Sequence, residues 1–119
     1  MASRPTDFLP LKPVDFLVLL ALLREDRHGY GIVQDIAAES GGEVRLVPGN
    51  LYTVLRRLLG DQLIAESSRL PVPGREDIRR RYYSLTDLGV RVLKAESERM
   101  RSLVAVVEER GLLEPGEAR

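Results

Sequence analysis

The sequence predicts a mainly α protein with a small β-hairpin: a winged helix-turn-helix followed by a long C-terminal dimerisation helix. Three observations predict it. Three short apolar-periodic segments precede residue 61, the last two separated by Gly41-Gly42 and Pro48-Gly49. Two strand-like runs, 63–69 and 79–85, flank the turn-rich Leu70-Pro71-Val72-Pro73-Gly74. From Thr86 onward, apolar residues recur at steps of three and four until Gly111. The expected divisions are an arm at 1–13, the winged domain at 14–85, the dimerisation helix at 86–111 and a tail at 112–119.

Pro5, Pro10 and Pro13 forbid a regular helix in the arm, yet Phe8, Leu9 and Leu11 are too apolar for a free tail. They are expected to pack on the body or on a second subunit. The first helix is expected over Val14–Leu23. Val14, Leu17, Val18, Ala21 and Leu22 form one face, and Leu19, Leu20 and Leu23 widen it until the helix reads as buried. Arg24–Gly29 reads as a polar connection.

The second helix is expected over Tyr30–Ser40, with Ile32, Val33, Ile36 and Ala37 inward and Gly41-Gly42 as a left-handed stop. His28 is expected to cap or brace its start. Glu43–Val47 alternates weakly and suits a turn or a very short strand. The third helix is expected over Asn50–Gly60. Its Leu51, Val54, Leu55, Leu58 and Leu59 form an apolar back. Thr86 is a good N-cap for the fourth helix, with Asp87 in the first turn. Leu93, Ser97, Met100, Val104 and Val107 form its seam, with Leu103 and Val106 beside it. That pattern suits a coiled-coil-like dimer, and a helix folded back on its own body is the alternative.

Composition narrows the function. The chain has 119 residues, 44% hydrophobic and 30% charged, which suits one globular domain. Formal net charge is zero. The charges are segregated, however: residues 44–94 hold ten basic against five acidic side chains, while both flanks are net acidic. No cysteine is present, so disulfides, zinc ribbons and thiol chemistry are excluded. A single histidine and no tight acidic cluster argue against a metal centre or a Ser-His-Asp site, and no cofactor is expected. Glu25-Asp26, Glu76-Asp77 and Glu108-Glu109 fall on turns or solvated faces, and Gly29 and Gly31 do not make a phosphate loop. No apolar run approaches the ~20 residues that span a bilayer, so a cytoplasmic protein away from membranes is expected.

The front of the third helix carries an amide, a phenol, hydroxyl and guanidinium groups, which is what a DNA major groove accepts. Asn50 and Arg56 are the expected base contacts, supported by Thr53. Tyr52, Arg57 and the hairpin residues Arg75, Arg79 and Arg80 are the expected phosphate contacts. Tyr52 has the alternative of closing the core behind the helix. Tyr30 is expected between helices with its hydroxyl near the DNA backbone. Arg81 alternates to the other face of the hairpin and suits pairing with an acid. Double-stranded DNA and a second copy of the chain are therefore the expected partners. A winged-helix module that binds protein instead of DNA is the alternative, kept open by zero net charge and the acidic Glu76-Asp77.

The motifs resemble the PadR family of transcriptional regulators, in its short form with one C-terminal helix. Leu19-Leu20-Ala21-Leu22-Leu23, His28-Gly29-Tyr30-Gly31-Ile32, Pro48-Gly49-Asn50-Leu51-Tyr52, Leu55-Arg56-Arg57-Leu58, Leu63-Ile64, and Arg80-Arg81-Tyr82-Tyr83-Ser84-Leu85-Thr86 with Gly89 carry the resemblance. Two positions depart from the family's pattern. Thr53 stands where Pro is frequent. Gln62 stands where Gly is usual, and must either avoid the left-handed conformation or tolerate it. The third helix is expected to end at Gly60. The resemblance implies a homodimeric DNA-binding regulator, most often a repressor, released by a small molecule or another signal. An apolar effector pocket would draw on Phe8, Val14, Leu17, Met100, Leu103 and Val104, whose alternative use is plain dimer core.

Overall fold

A computed structural model describes residues 3–68 and 81–116. The arm forms one short 3-10 turn, Pro5–Phe8. Phe8, Leu9 and Leu11 pack half-buried against the core. Helix α1 spans Pro13–Ala21 and buries Val18 and Leu19. It stops before the expected Leu23. Leu22 and Leu23 donate to carbonyls three residues back, which tightens the last turn and leaves Leu23 half exposed. The helix is therefore not apolar-buried all round at its C-terminal end.

The polar connection holds an unexpected strand, β1, at Arg27–His28. Helix α2, Gly29–Glu39, follows directly. As expected, His28 caps it: the Gly31 N–H donates to His28 Nδ1 at 3.1 Å. Gly41 and Gly42 take positive φ, and the Gly42 N–H closes the helix end on Ala37 O at 2.7 Å. Residues 43–47 form no strand. Val44 instead donates to Ser40 Oγ at 2.9 Å, and Val44 and Leu46 lie half-buried on the core.

Helix α3 spans Pro48–Gly60, two residues longer at its start than expected. Pro48 sits in the first turn, where its missing N–H costs nothing. The helix ends at Gly60, and Gln62 adopts the left-handed conformation at φ +61°. The Leu63 N–H reaches back to Leu58 O at 3.0 Å and secures this turn.

Strand β2, Ile64–Ser68, pairs antiparallel with β3, Arg81–Leu85, in a register that sets Ile64 opposite Leu85 and Glu66 opposite Tyr83. β1 pairs with the other edge of β3, placing Arg27 opposite Tyr83 and giving the sheet order β1-β3-β2. Helix α4 spans Asp87–Glu109 and stops at Gly111 with positive φ. The core gathers Val18, Leu19, Ile32, Ile36, Leu55, Leu58, Leu63 and Val92 from every helix and the loop after α3. None of the helices among the described residues is long and apolar enough to cross a membrane.

The start of α4 is tied to the turn after α3. Thr86 Oγ1 donates to Gln62 O at 2.7 Å and accepts from the Gly89 N–H at 3.0 Å, while the Thr86 N–H donates to Leu63 O at 3.2 Å. Gly89 is required there, because a Cβ would lie 2.1 Å from Leu63 O. Further along, Glu96 is buried in α4. It accepts from Arg99 Nε and from the Leu11 N–H, the latter at 2.6 Å, and so pins the arm. The Arg99 bond holds the Glu96 carboxyl below its ordinary range despite burial, helped by the Leu11 bond.

Two outcomes follow for the isolated protein. Gly89→Ala drives α4 away from backbone rather than a flexible side chain, and thermal unfolding should register a loss of about 3 kcal/mol. A carboxyl lowered in the folded state stabilises fully above its ordinary value of 4.5 and loses that contribution as pH falls through the lowered value. Glu96→Gln should therefore lower the urea midpoint at neutral pH and converge with wild type in acid.

Candidate nucleic-acid interface

Helix α3 has two faces of opposite character. Leu51, Val54, Leu55 and Leu58 are buried. Asn50, Tyr52, Thr53 and Arg56 are exposed on the other side. The spacing of the leucines forces this: once they enter the core, residues between them must point out. Among the described residues, neither Arg56 nor Asn50 has a side-chain hydrogen bond or ion pair, so both present their full donor sets to solvent. Thr53 Oγ1 donates back to Gly49 O at 3.1 Å, leaving its methyl and lone pairs outward.

Tyr52 is 56% exposed and so does not close the core behind the helix. Tyr30, expected between helices, is 68% exposed. Its ring lies parallel to His28 with centroids 6.4 Å apart, and His28 in turn meets Tyr82 edge-on at 5.5 Å. A cleft of about 930 Å³ separates α2 and α3 from the hairpin, walled by Tyr30, Pro48, Leu51, Tyr52, Arg81 and Tyr83. Burial, reinforced by the nearby Glu66, raises the Tyr83 hydroxyl above its ordinary pKa, so it stays neutral. Arg81 pairs with Glu66 at 3.3 Å, the acid partnership its strand position suggests.

Arg57 has a protein partner that the sequence did not assign to it. It was expected at phosphate, but its guanidinium is bonded to Asp15, whose side chain is 9% exposed. One helical position of about 100° separates it from Arg56 and turns it toward α1. Leu93 departs from expectation. It was expected on the dimer seam, but it is 4% exposed in the protomer's own core. The remaining seam residues divide from it cleanly: Leu103 and Val104 are exposed, with Met100 and Val107 half-buried.

Phe8, Val14 and Leu17 pack half-buried on the protomer's own core. Phe8 borders a hollow of about 200 Å³ that also includes Leu11, Asp15 and Arg57, at a site that neither Leu103 nor Val104 lines. The expected effector lining is thus not gathered within one protomer. Arg75, Arg79 and Arg80 lie outside the described residues. Sequence reasoning missed Asp15 and Glu96; the available signal was a lone acid in the first turn of a largely apolar helix. Among the described residues, no three His, Asp or Glu side chains group as metal ligands.

Residues 18–95 match the PadR-like transcriptional regulator family. The chain belongs to that family. The PadR-like family comprises transcriptional regulators, not enzymes. The fold is similar to a PadR family transcription regulator from Clostridium difficile R20291, with TM-score 0.69 and 26% identity over 82% of this chain and 97% of that one. It is also similar to a PadR family regulator from Eggerthella lenta, with TM-score 0.60 and 32% identity over 84% of this chain and 83% of that one. Bacillus subtilis PadR, solved in complex with operator DNA, shares the fold at TM-score 0.63 and 18% identity, over 83% of this chain and 61% of that one. These likenesses agree with the four helices and the small antiparallel sheet of this PadR-like chain.

Proposed function

We propose that this protein is a cytoplasmic, homodimeric DNA-binding repressor that holds a near-palindromic operator with α3 and the hairpin of each protomer. One observation carries the reading: every exposed side chain at Asn50, Tyr52, Thr53 and Arg56 shares the face of α3 opposite its buried leucines. Arg56 bonds guanine bidentately, Asn50 bonds adenine, and Thr53 offers its methyl to thymine. Tyr52 and Tyr30 take phosphate oxygens. The operator complex of Bacillus subtilis PadR supports DNA as the ligand class.

Dimerisation rests on the far half of α4. Leu103 is 54% exposed and Val104 46%, and Val106 joins them. An apolar strip on a helix that leaves its own core behind is covered economically by a second copy. Two copies would set the α3 helices about 34 Å, or ~10 bp, apart. The repressor sign rests on the family resemblance.

The test is a mobility shift with duplex from the gene's own upstream region against random duplex at physiological salt. A preferred upstream site is expected. Equal affinity for all duplexes, or none, overturns the proposal and favours a protein-binding module. Arg56→Ala should weaken the preferred site by about 1–3 kcal/mol and relax one base position, read by titrating single-base variants of that site. Leu103→Glu should convert dimer to monomer in sedimentation, with the helical circular dichroism signal retained.

A further inference from the structure

We propose that Asp15 and Arg57 are positioning residues that set the angle between the α3 helices of the two protomers, and hence the half-site spacing the dimer accepts. The inference rests on the DNA-binding reading above. It takes Arg57 off the list of phosphate contacts and gives it a different role.

The segment from Leu11 to Asp15 is tied at both ends. At one end, the Leu11 N–H donates to Glu96 at 2.6 Å, and Arg99 holds that carboxylate in place. At the other, Asp15 binds Arg57 on α3. Between the two anchors lie Lys12 and Pro13, the N-cap and first residue of α1. Proline fixes its own φ, and the residue before it is held extended, so the short span is stiff. It braces α3 against α4.

The chemistry of each anchor suits a brace. Asp15 lies in the first turn of α1, where the helix dipole favours a carboxylate. Asp15 and Glu96 are 6% and 2% exposed as residues, so water competes poorly for either. The Arg57 side chain is 37% exposed and that of Asp15 only 9%, so removing the guanidinium leaves a largely buried carboxylate without its partner. Arg56 is the next residue to the brace. Whatever fixes the rotation of α3 at Arg57 fixes the direction of Arg56.

A rigid α3–α4 angle has one consequence that ordinary folding stability lacks. Inserting one base pair at the operator centre moves one half-site along and around the duplex by about a tenth of a helical turn. A braced dimer cannot follow. A dimer with a loosened α3 can.

The experiment uses full-length protein and the footprinted upstream site, rebuilt as synthetic duplexes with none, one or two base pairs inserted at the centre. Wild type should lose about tenfold in affinity per insertion. Asp15→Asn and Arg57→Gln should each lose less than about threefold, while the slope of log affinity against log salt stays at the wild-type value. Arg57→Lys, which keeps the ion pair, should restore the sharp spacing preference. Where Arg57→Gln melts below the assay temperature, Asp15→Asn carries the test, since it keeps the side-chain volume and one acceptor. Variants as spacing-sensitive as wild type overturn the proposal alone. So does a salt slope reduced by about one in Arg57→Gln, which would return Arg57 to phosphate. A wild-type protein that prefers no duplex overturns the regulator reading and this inference with it.

Discussion

The architecture depends on one joint. The turn after α3, the end of β3 and the start of α4 meet where Thr86 bonds Gln62 and Leu63 and where Gly89 admits the Leu63 carbonyl. Helix α4 can approach this closely only without a Cβ at 89. The hydroxyl of Thr86 donates to the Gln62 carbonyl and accepts from the Gly89 N–H, while its backbone N–H takes the Leu63 carbonyl. Left-handed backbone at Gln62 costs about 1 kcal/mol for a residue with a Cβ. The bonds from Leu63 N–H to Leu58 and from Thr86 to Gln62 O offset that cost. The joint fixes where α3 ends, where the hairpin begins and which way α4 leaves.

Given that joint, α3 presents its faces by simple geometry. Four apolar side chains enter the core, each contributing about 1.5–3 kcal/mol of burial. That total exceeds anything a surface group on the same helix supplies. The polar face is therefore a consequence of packing. The two neighbouring arginines differ in partner: Arg56 faces solvent and Arg57 reaches Asp15. Identical chemistry at adjacent positions receives different roles because a helix turns about 100° per residue.

Helix α4 changes character along its length. Val92, Leu93 and Glu96 are buried in the protomer. Beyond Met100 the same apolar spacing continues, but Leu103, Val104 and Val106 lie exposed. The first half belongs to the fold and the second half faces outward. In the proposed dimer, the first half transmits to α3 whatever geometry the second half adopts, through the joint at Thr86 and through the arm held by Glu96.

Much of this was legible in the sequence, because periodicity and caps are local. The leucines of α3, the glycine stop after α2 and the His28 and Thr86 caps all follow from neighbours within about four positions. The outward face of Asn50, Tyr52, Thr53 and Arg56 follows from the same arithmetic. Other features needed the folded chain. Strand β1 is two residues long and exists only because β3 offers it an edge. The early α3 start turned on how Pro48 is used, and Gln62 could have taken either backbone conformation. Asp15 lies 42 residues from Arg57, and Glu96 lies 85 from Leu11, so no spacing rule connects them. Leu93 shares the heptad-like seam with Val104, yet only packing decides that one is core and the other surface. Sequence alone determined the four helices, the two hairpin strands and the apolar face of α3, since these are set by covalent geometry and local chemistry. Tertiary structure decided which charged groups meet and how far along α4 the core extends, since both depend on surfaces brought together from distant parts of the chain.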